Sequence, residues 1–186
     1  MLNFAVYMNE PKKNIFQLAS EWGLPFGLYL SLAAVASLYA DVFPPLGIVF
    51  WVMVLGTPFL AYYFQRRKYI EDDGFTEYAA LWMLGILLFI LGAVLSSFVA
   101  YLVLRFLRPE YMYEVGRKAI EAYNQIPEMR DSELLHVVRR MVDERLMPPP
   151  IEMVINTFWL VSFLGSITSA VTALAARHRI TKRNKL

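Results

Sequence analysis

Four stretches of this chain, Trp22 to Ala40, Leu46 to Phe64, Ala79 to Leu104 and Ile155 to Ala175, are apolar almost without interruption. Each supplies the roughly 20 residues that a helix needs to cross about 30 Å of hydrocarbon. With 58% hydrophobic residues and a mean hydropathy of +0.43, the chain carries more apolar surface than one soluble core can hide. Lipid offers no partner to an unpaired amide, so spanning segments of this kind must be helices. The expected fold is an all-α membrane protein, a single membrane domain over residues 1–186 with four transmembrane helices.

Proline and charge set the boundaries. Glu21 and Asp41 bracket the first span, and Phe43, Pro44 and Pro45 end it, because proline lacks an amide hydrogen and pushes its predecessor out of helical geometry. The second span closes on Tyr62 and Tyr63, followed by Gln65, Arg66, Arg67 and Lys68. Aromatics at the interface followed by adjacent cations stop transfer. Asp73–Gly74 then favours a turn with positive φ. The third span, about 39 Å long as a helix, must tilt or project beyond the hydrocarbon, and projection into the following segment is expected.

The fourth span runs into Arg177, His178, Arg179, Lys182, Arg183 and Lys185. An even number of spans puts both termini on one side, and these cations, with Lys12, Lys13 and Arg66 to Lys68, predict that side to be cytoplasmic. The segment from Arg105 to Val154 opposes this with arginines of its own, but longer loops translocate with less regard to charge. Met1 to Phe16 lacks the order of charge, apolar run and cleavage site of a signal peptide, so none is expected.

Between spans three and four, residues 109–147 read as an amphipathic helical hairpin. Met112, Val115, Ala119 and Tyr123 recur at helical spacing, Ile126–Pro127 interrupts, and Asp131 or Ser132 can cap a second helix. Leu134, Leu135, Val138, Met141, Val142 and Leu146 give that helix an apolar side, and Pro148, Pro149 and Pro150 are expected to end it. The stripe Leu134, Leu135, Val138, Met141 and Val142 can pack on the hairpin itself, lie along headgroups or meet another protein. Glu114 with Lys118, and Arg117 with Glu121, are spaced as ordinary surface ion pairs.

Chemistry is harder to find. The absence of cysteine excludes disulfides and thiolate sites, and the net charge of +2 gives no reason to expect nucleic acid as a partner. None of the spans holds an ionisable residue at its centre, where transporters and proton relays keep theirs. His136 and His178 have no ligand partner at helical spacing, and no short catalytic or phosphate-binding motif is present. Glu110, Glu114 and Glu121 could act on a glycolipid only by converging on one concave site. No catalytic, cofactor or metal residue is therefore assigned. The marked positions are small residues four apart: Gly23, Gly27 and Ser31; Gly92, Ser96 and Ala100; Ser162, Ser166 and Ala170. Such stripes let helices approach closely, within this chain or against another subunit. The fourth span is also the most polar, through Asn156, Thr157, Thr168, Ser169 and Thr172.

The order of features, a two-span hairpin, a basic stop, a third span running into Arg108-Pro109-Glu110-Tyr111-Met112, an acidic helical insert and a last span with a basic end, resembles the domain of unknown function 4199 family of Bacteroidota. The resemblance implies a bacterial inner-membrane location and a lipid-linked glycosyltransferase as a partner, but no catalytic residue. The expectation is a non-enzymatic accessory or scaffold subunit of a cell-envelope complex, lodged in the lipid bilayer against another envelope membrane protein or a second copy. The alternative is a small transporter or lipid-handling protein with a cavity between spans three and four.

Overall fold

The computed structural model describes residues 14–126 and 132–177. The described residues form helices α1 (Ile15–Tyr39), α2 (Pro45–Glu71), α3 (Tyr78–Leu102), α4 (Tyr111–Gln125), α5 (Glu133–Asp143) and α6 (Pro150–Ala176), with a π-helical turn at Val103–Leu107 continuing α3. Four of them, α1, α2, α3 with its π-helical extension, and α6, are long and apolar enough to cross a membrane. The chain is thus an all-α protein of the expected class.

Several boundaries differ from the sequence expectation, α2 running seven residues past Phe64 to Glu71 among them, and two have identifiable local reasons. The first helix begins at Ile15, ahead of Trp22, because the Gln17 side chain reaches back 3.1 Å to accept from the Asn14 amide. The three prolines do not stop the hairpin: α5 has already ended at Asp143, and Pro150 opens α6. A first-turn proline costs nothing, since its missing amide hydrogen has no partner there anyway. Pro45 opens α2 in the same way. As expected, Asp73 and Gly74 both take positive φ, 53° and 84°. The Gly74 and Asp73 amides bond back to the carbonyls of Tyr69 and Ile70, satisfying the end of α2. Arg145, at φ 55°, closes α5 with the same pattern, its amide and that of Leu146 reaching Val142 and Met141.

Helices α1 and α3 make the most extensive contact, with α6 against α3 next. Small residues bring this about. A Cβ on Gly27 would lie 3.3 Å from the Cα of Gly92, and a Cβ on Gly23 would press on Leu91 at 3.0 Å. Gly23, Gly27, Ser31, Gly92 and Ser96 are buried as the stripes predict, and Ala100 packs beside Leu38 and Val103. An aromatic series then ties three helices: Trp22 stacks on Phe64 at 5.4 Å, and Phe26 meets Phe64 at 6.5 Å and Phe89 at 5.0 Å edge-on.

On α6 the buried stripe is displaced from the predicted one. It runs through Gly165, Ser169, Thr172, Ala173 and Ala176, whereas Ser162, Ser166 and Ala170 are half-buried. Gly165 sets the register because the Phe89 ring occupies the space its side chain would need. Ser166 and Ala170 still serve the seam through their backbone, with carbonyls accepting from Trp82 Nε1 at 3.2 Å and Tyr78 Oη at 3.4 Å.

Candidate functional site

Four charged side chains, Asp41, Arg108, Glu114 and Lys118, come together where α1, the end of α3 and α4 meet. The π-helical turn lets the Arg108 amide reach five residues back to Val103, and the wider turn swings Arg108 over the end of α1. Its guanidinium donates to Asp41 at 2.6 and 3.1 Å, to Glu114 on α4 and to the Leu38 carbonyl. The rings of Tyr111 and Tyr39 lie against it, 4.9 and 5.5 Å from their centroids. Lys118 completes the cluster, 3.1 Å from the same Asp41 carboxylate. The hydrogen bond from Arg108, foremost, outweighs burial and holds the Asp41 carboxyl well below the usual carboxylate range. Burial chiefly, and then the Asp41 charge, pushes the Tyr111 phenol up.

This geometry corrects the expected surface pair Glu114–Lys118. Glu114 turns back instead to Arg108, before the start of its own helix, and Lys118 to Asp41, 77 residues away in sequence. The cluster therefore works as a clamp, fixing the first turns of α4 to the end of the bundle. It has no nucleophile paired with a base, and Glu110 and Glu121 lie outside it.

The hairpin beyond the clamp packs partly on itself. Val142 and Met147 fill the space over Gly116, where a Cβ would come 2.7 Å from Val142. Leu135 is buried, Val138 and Val142 are half-buried, and Leu134 and Met141 are exposed, with exposed Val137 beside them. The predicted stripe is thus divided between an inner edge on α4 and an outer edge left free. Ser132, not Asp131, supplies the cap, accepting from the Leu135 amide. Asp131, Pro127, His178 and the other tail and N-terminal cations, Arg179, Lys182, Arg183, Lys185, Lys12 and Lys13, lie outside the described residues.

At the other end of the bundle a second polar group escaped the sequence argument. Gln65, expected just beyond the second span, is fully buried where α2, α3 and α6 meet. Its amide nitrogen donates to the Leu81 carbonyl at 3.1 Å, the Ser169 carbonyl at 3.2 Å and Ser169 Oγ at 3.0 Å, while Ser169 donates onward to the Trp82 carbonyl. Gly85 makes room: a Cβ there would collide with Ser169 Oγ and the Gln65 amide. Arg66 reaches the C-terminal end of α6, donating to the carbonyl of buried Ala176 at 2.6 Å. The signal was present as an uncharged polar residue directly before the basic stop, with a glycine and a serine available on other helices.

Hollows open between the helices of the described residues. A cleft of about 390 Å³ separates α2 from α6, lined by Leu30, Val54, Leu55, Pro58, Phe89, Leu164 and Gly165, with Thr57 and Thr168 bonded to their own helices. A groove of about 480 Å³ lies between the start of α4 and the start of α6, lined by Met112, Pro148, Glu152, Met153, Asn156, Thr157 and Leu160. Met153 and Thr157 also line a third pocket of about 80 Å³ between α1, α3 and α6, with Ser37, Ser96 and Ser97 around it. The groove thus leads into the bundle. No group of three His, Asp or Glu side chains placed to hold a metal occurs among the described residues.

A family model described as "Protein of unknown function (DUF4199)" matches residues 21–178. No curated protein and no solved structure matches the chain.

Proposed function

The chain belongs to the DUF4199 family, and on that premise we propose that it is a non-enzymatic scaffold or accessory subunit of a cell-envelope complex, resident in a bacterial inner membrane. Both termini are cytoplasmic in this reading, and the hairpin is held at the opposite face. The observation that carries it is the clamp: Arg108 binds Asp41, Glu114 and the Leu38 carbonyl at once and so holds the hairpin at a fixed place on the bundle. A hairpin so held, with Leu134, Val137 and Met141 exposed along α5, is suited to present a surface and has no arrangement for bond-making. Its partner in this reading is another envelope membrane protein, such as a lipid-linked glycosyltransferase, or a second copy.

Cross-linking through the hairpin is the direct test. The chain has no cysteine, so Leu134→Cys or Met141→Cys introduces a single reactive thiol. In native membranes a thiol-directed cross-linker is expected to join these variants to one discrete neighbour, with a Glu133→Cys control joining it less. If every variant purifies only as the lone chain, the scaffold reading fails. The same thiol chemistry reports topology: a membrane-impermeant reagent added to intact cells lacking their outer membrane should label Glu133→Cys and leave Gly74→Cys unlabelled. The reverse pattern would invert the orientation.

The cleft between α2 and α6 favours a second reading, a lipid-handling protein. It is apolar and lies within the spans, where only hydrocarbon can fill it. In that case narrowing the cleft by Val54→Phe, at a lining position that is 39% exposed, should abolish the lipid transfer between vesicles that the wild-type protein gives.

A further inference from the structure

We propose that the groove beneath the hairpin is a binding site for an aminophospholipid, whose ammonium group meets Glu152 and whose acyl chain leaves along Leu160. Glu152 stands exposed in the first turn of α6. Its side chain has no hydrogen bond or ion pair among the described residues, and Asn156, one turn deeper, has none either. Glu152 is also the sole charged residue lining the groove. An exposed carboxylate that is the single charge on a mostly apolar lining favours a cationic group by charge complementarity, and bilayer headgroups present ammonium groups.

The rest of the lining fits the remainder of such a lipid. The Asn156 amide can donate to an ester or phosphate oxygen, which a carboxylate could not do. Met112 from α4 and Met153 from α6 offer pliable apolar contact to the first methylenes, and Leu160, 58% exposed, opens the groove towards the hydrocarbon. An anionic headgroup is disfavoured by Glu152. A quaternary choline headgroup carries the charge but has no N–H to donate, so the site should distinguish it from ethanolamine. This site is separate from the α5 surface invoked for a protein partner, and either can fail without the other.

Thermal unfolding of the purified protein in detergent, with added lipid, tests the proposal. Phosphatidylethanolamine at saturating mole fraction should raise the midpoint by about 5 °C, with phosphatidylcholine and phosphatidylglycerol each giving less than half of that. Glu152→Gln should remove the difference between ethanolamine and choline lipids, while Glu133→Gln, an exposed carboxylate on α5, should preserve it. Free ethanolamine should give no shift. Equal shifts with all three lipids, a preserved ethanolamine preference in Glu152→Gln, or a full shift with free ethanolamine would each overturn it. Lipid analysis of the wild-type protein purified from native membranes gives a readout independent of the variants: phosphatidylethanolamine should be enriched about threefold over its share of the membrane, and no enrichment counts against the site.

Discussion

Gly85→Ala is expected to destabilise the bundle by about 3 kcal/mol, although it adds one methyl group in the middle of a helix where alanine is otherwise favoured. The added Cβ falls on Ser169 Oγ and the Gln65 amide, with Ser169 Cβ only 2.8 Å away. None of these can retreat, because Gln65 and Ser169 are both fully buried and tied to the backbones of α3 and α6. Pushing α6 outwards breaks bonds whose groups then stand unpaired away from water, and leaving a buried donor unsatisfied costs roughly 1–3 kcal/mol. Gly47→Ala is the control. Its Cβ would meet only Ala40 Cβ at an ordinary 3.6 Å, so the same change there should be neutral or stabilise by up to about 1 kcal/mol. Unfolding in mixed micelles, followed by helicity against denaturing detergent, measures both. Ser169→Gly in the Gly85→Ala background should recover part of the loss, since it removes the two serine atoms struck by the new methyl and leaves only the clash with the Gln65 amide. A Gly85→Ala protein as stable as Gly47→Ala would mean that the three helices do not meet as described.

How much of this was legible beforehand depends on the range of the interaction. The spans could be read because a run of apolar residues such as Ala79 to Leu104 states its own environment, residue by residue. The stripes Gly23–Gly27–Ser31 and Gly92–Ser96 were legible for a related reason: small residues four apart mark a close face whatever lies opposite. On α6 the same rule marked positions beside the most buried ones. Ser162, Ser166 and Ala170 fit the pattern as well as Gly165, Ser169 and Ala173, and only the position of Phe89 on another helix decides between them. Charge was misread similarly. Glu114 and Lys118 sit at the spacing of a helical ion pair, but a pair of exposed charges is worth only about 0.3–0.5 kcal/mol. The half-buried Asp41 and Arg108, brought together by a π-helical turn with no mark in the sequence, offer each of them a stronger partner. Local periodicity therefore shows which helices form and whether they cross lipid. Partners distant in sequence fix their register and the clamp.

Arg108→Met should release the hairpin while leaving the four spans assembled, because the clamp lies outside the aromatic series and the Gln65 group that hold them. The Arg108 side chain is 8% exposed and serves two carboxylates and a carbonyl, so its loss strands Asp41 and Glu114 with Lys118 as the remaining cation. Breaking a buried pair costs roughly 3–5 kcal/mol, but Asp41 keeps some solvent, and about 2 kcal/mol is the reasonable expectation here. Read by hydrogen exchange, that is about a 30-fold acceleration of amides in α4 and α5, with α1 and α3 amides unchanged. Acid should act on the same contact. The folded Asp41 carboxyl titrates below its unfolded value of about 4, so its stabilisation is fully present above that value and drains away as the pH falls through the folded pKa. Protection of α4 should therefore stay level from pH 8 to about 5 and decline only below about 4. Asp41→Asn should show weaker protection throughout and lose Asp41's contribution to the acid-side decline. If α4 exchanges equally fast in the wild type and in Arg108→Met, the hairpin is held by something other than this guanidinium, and the platform drawn from it has no anchor.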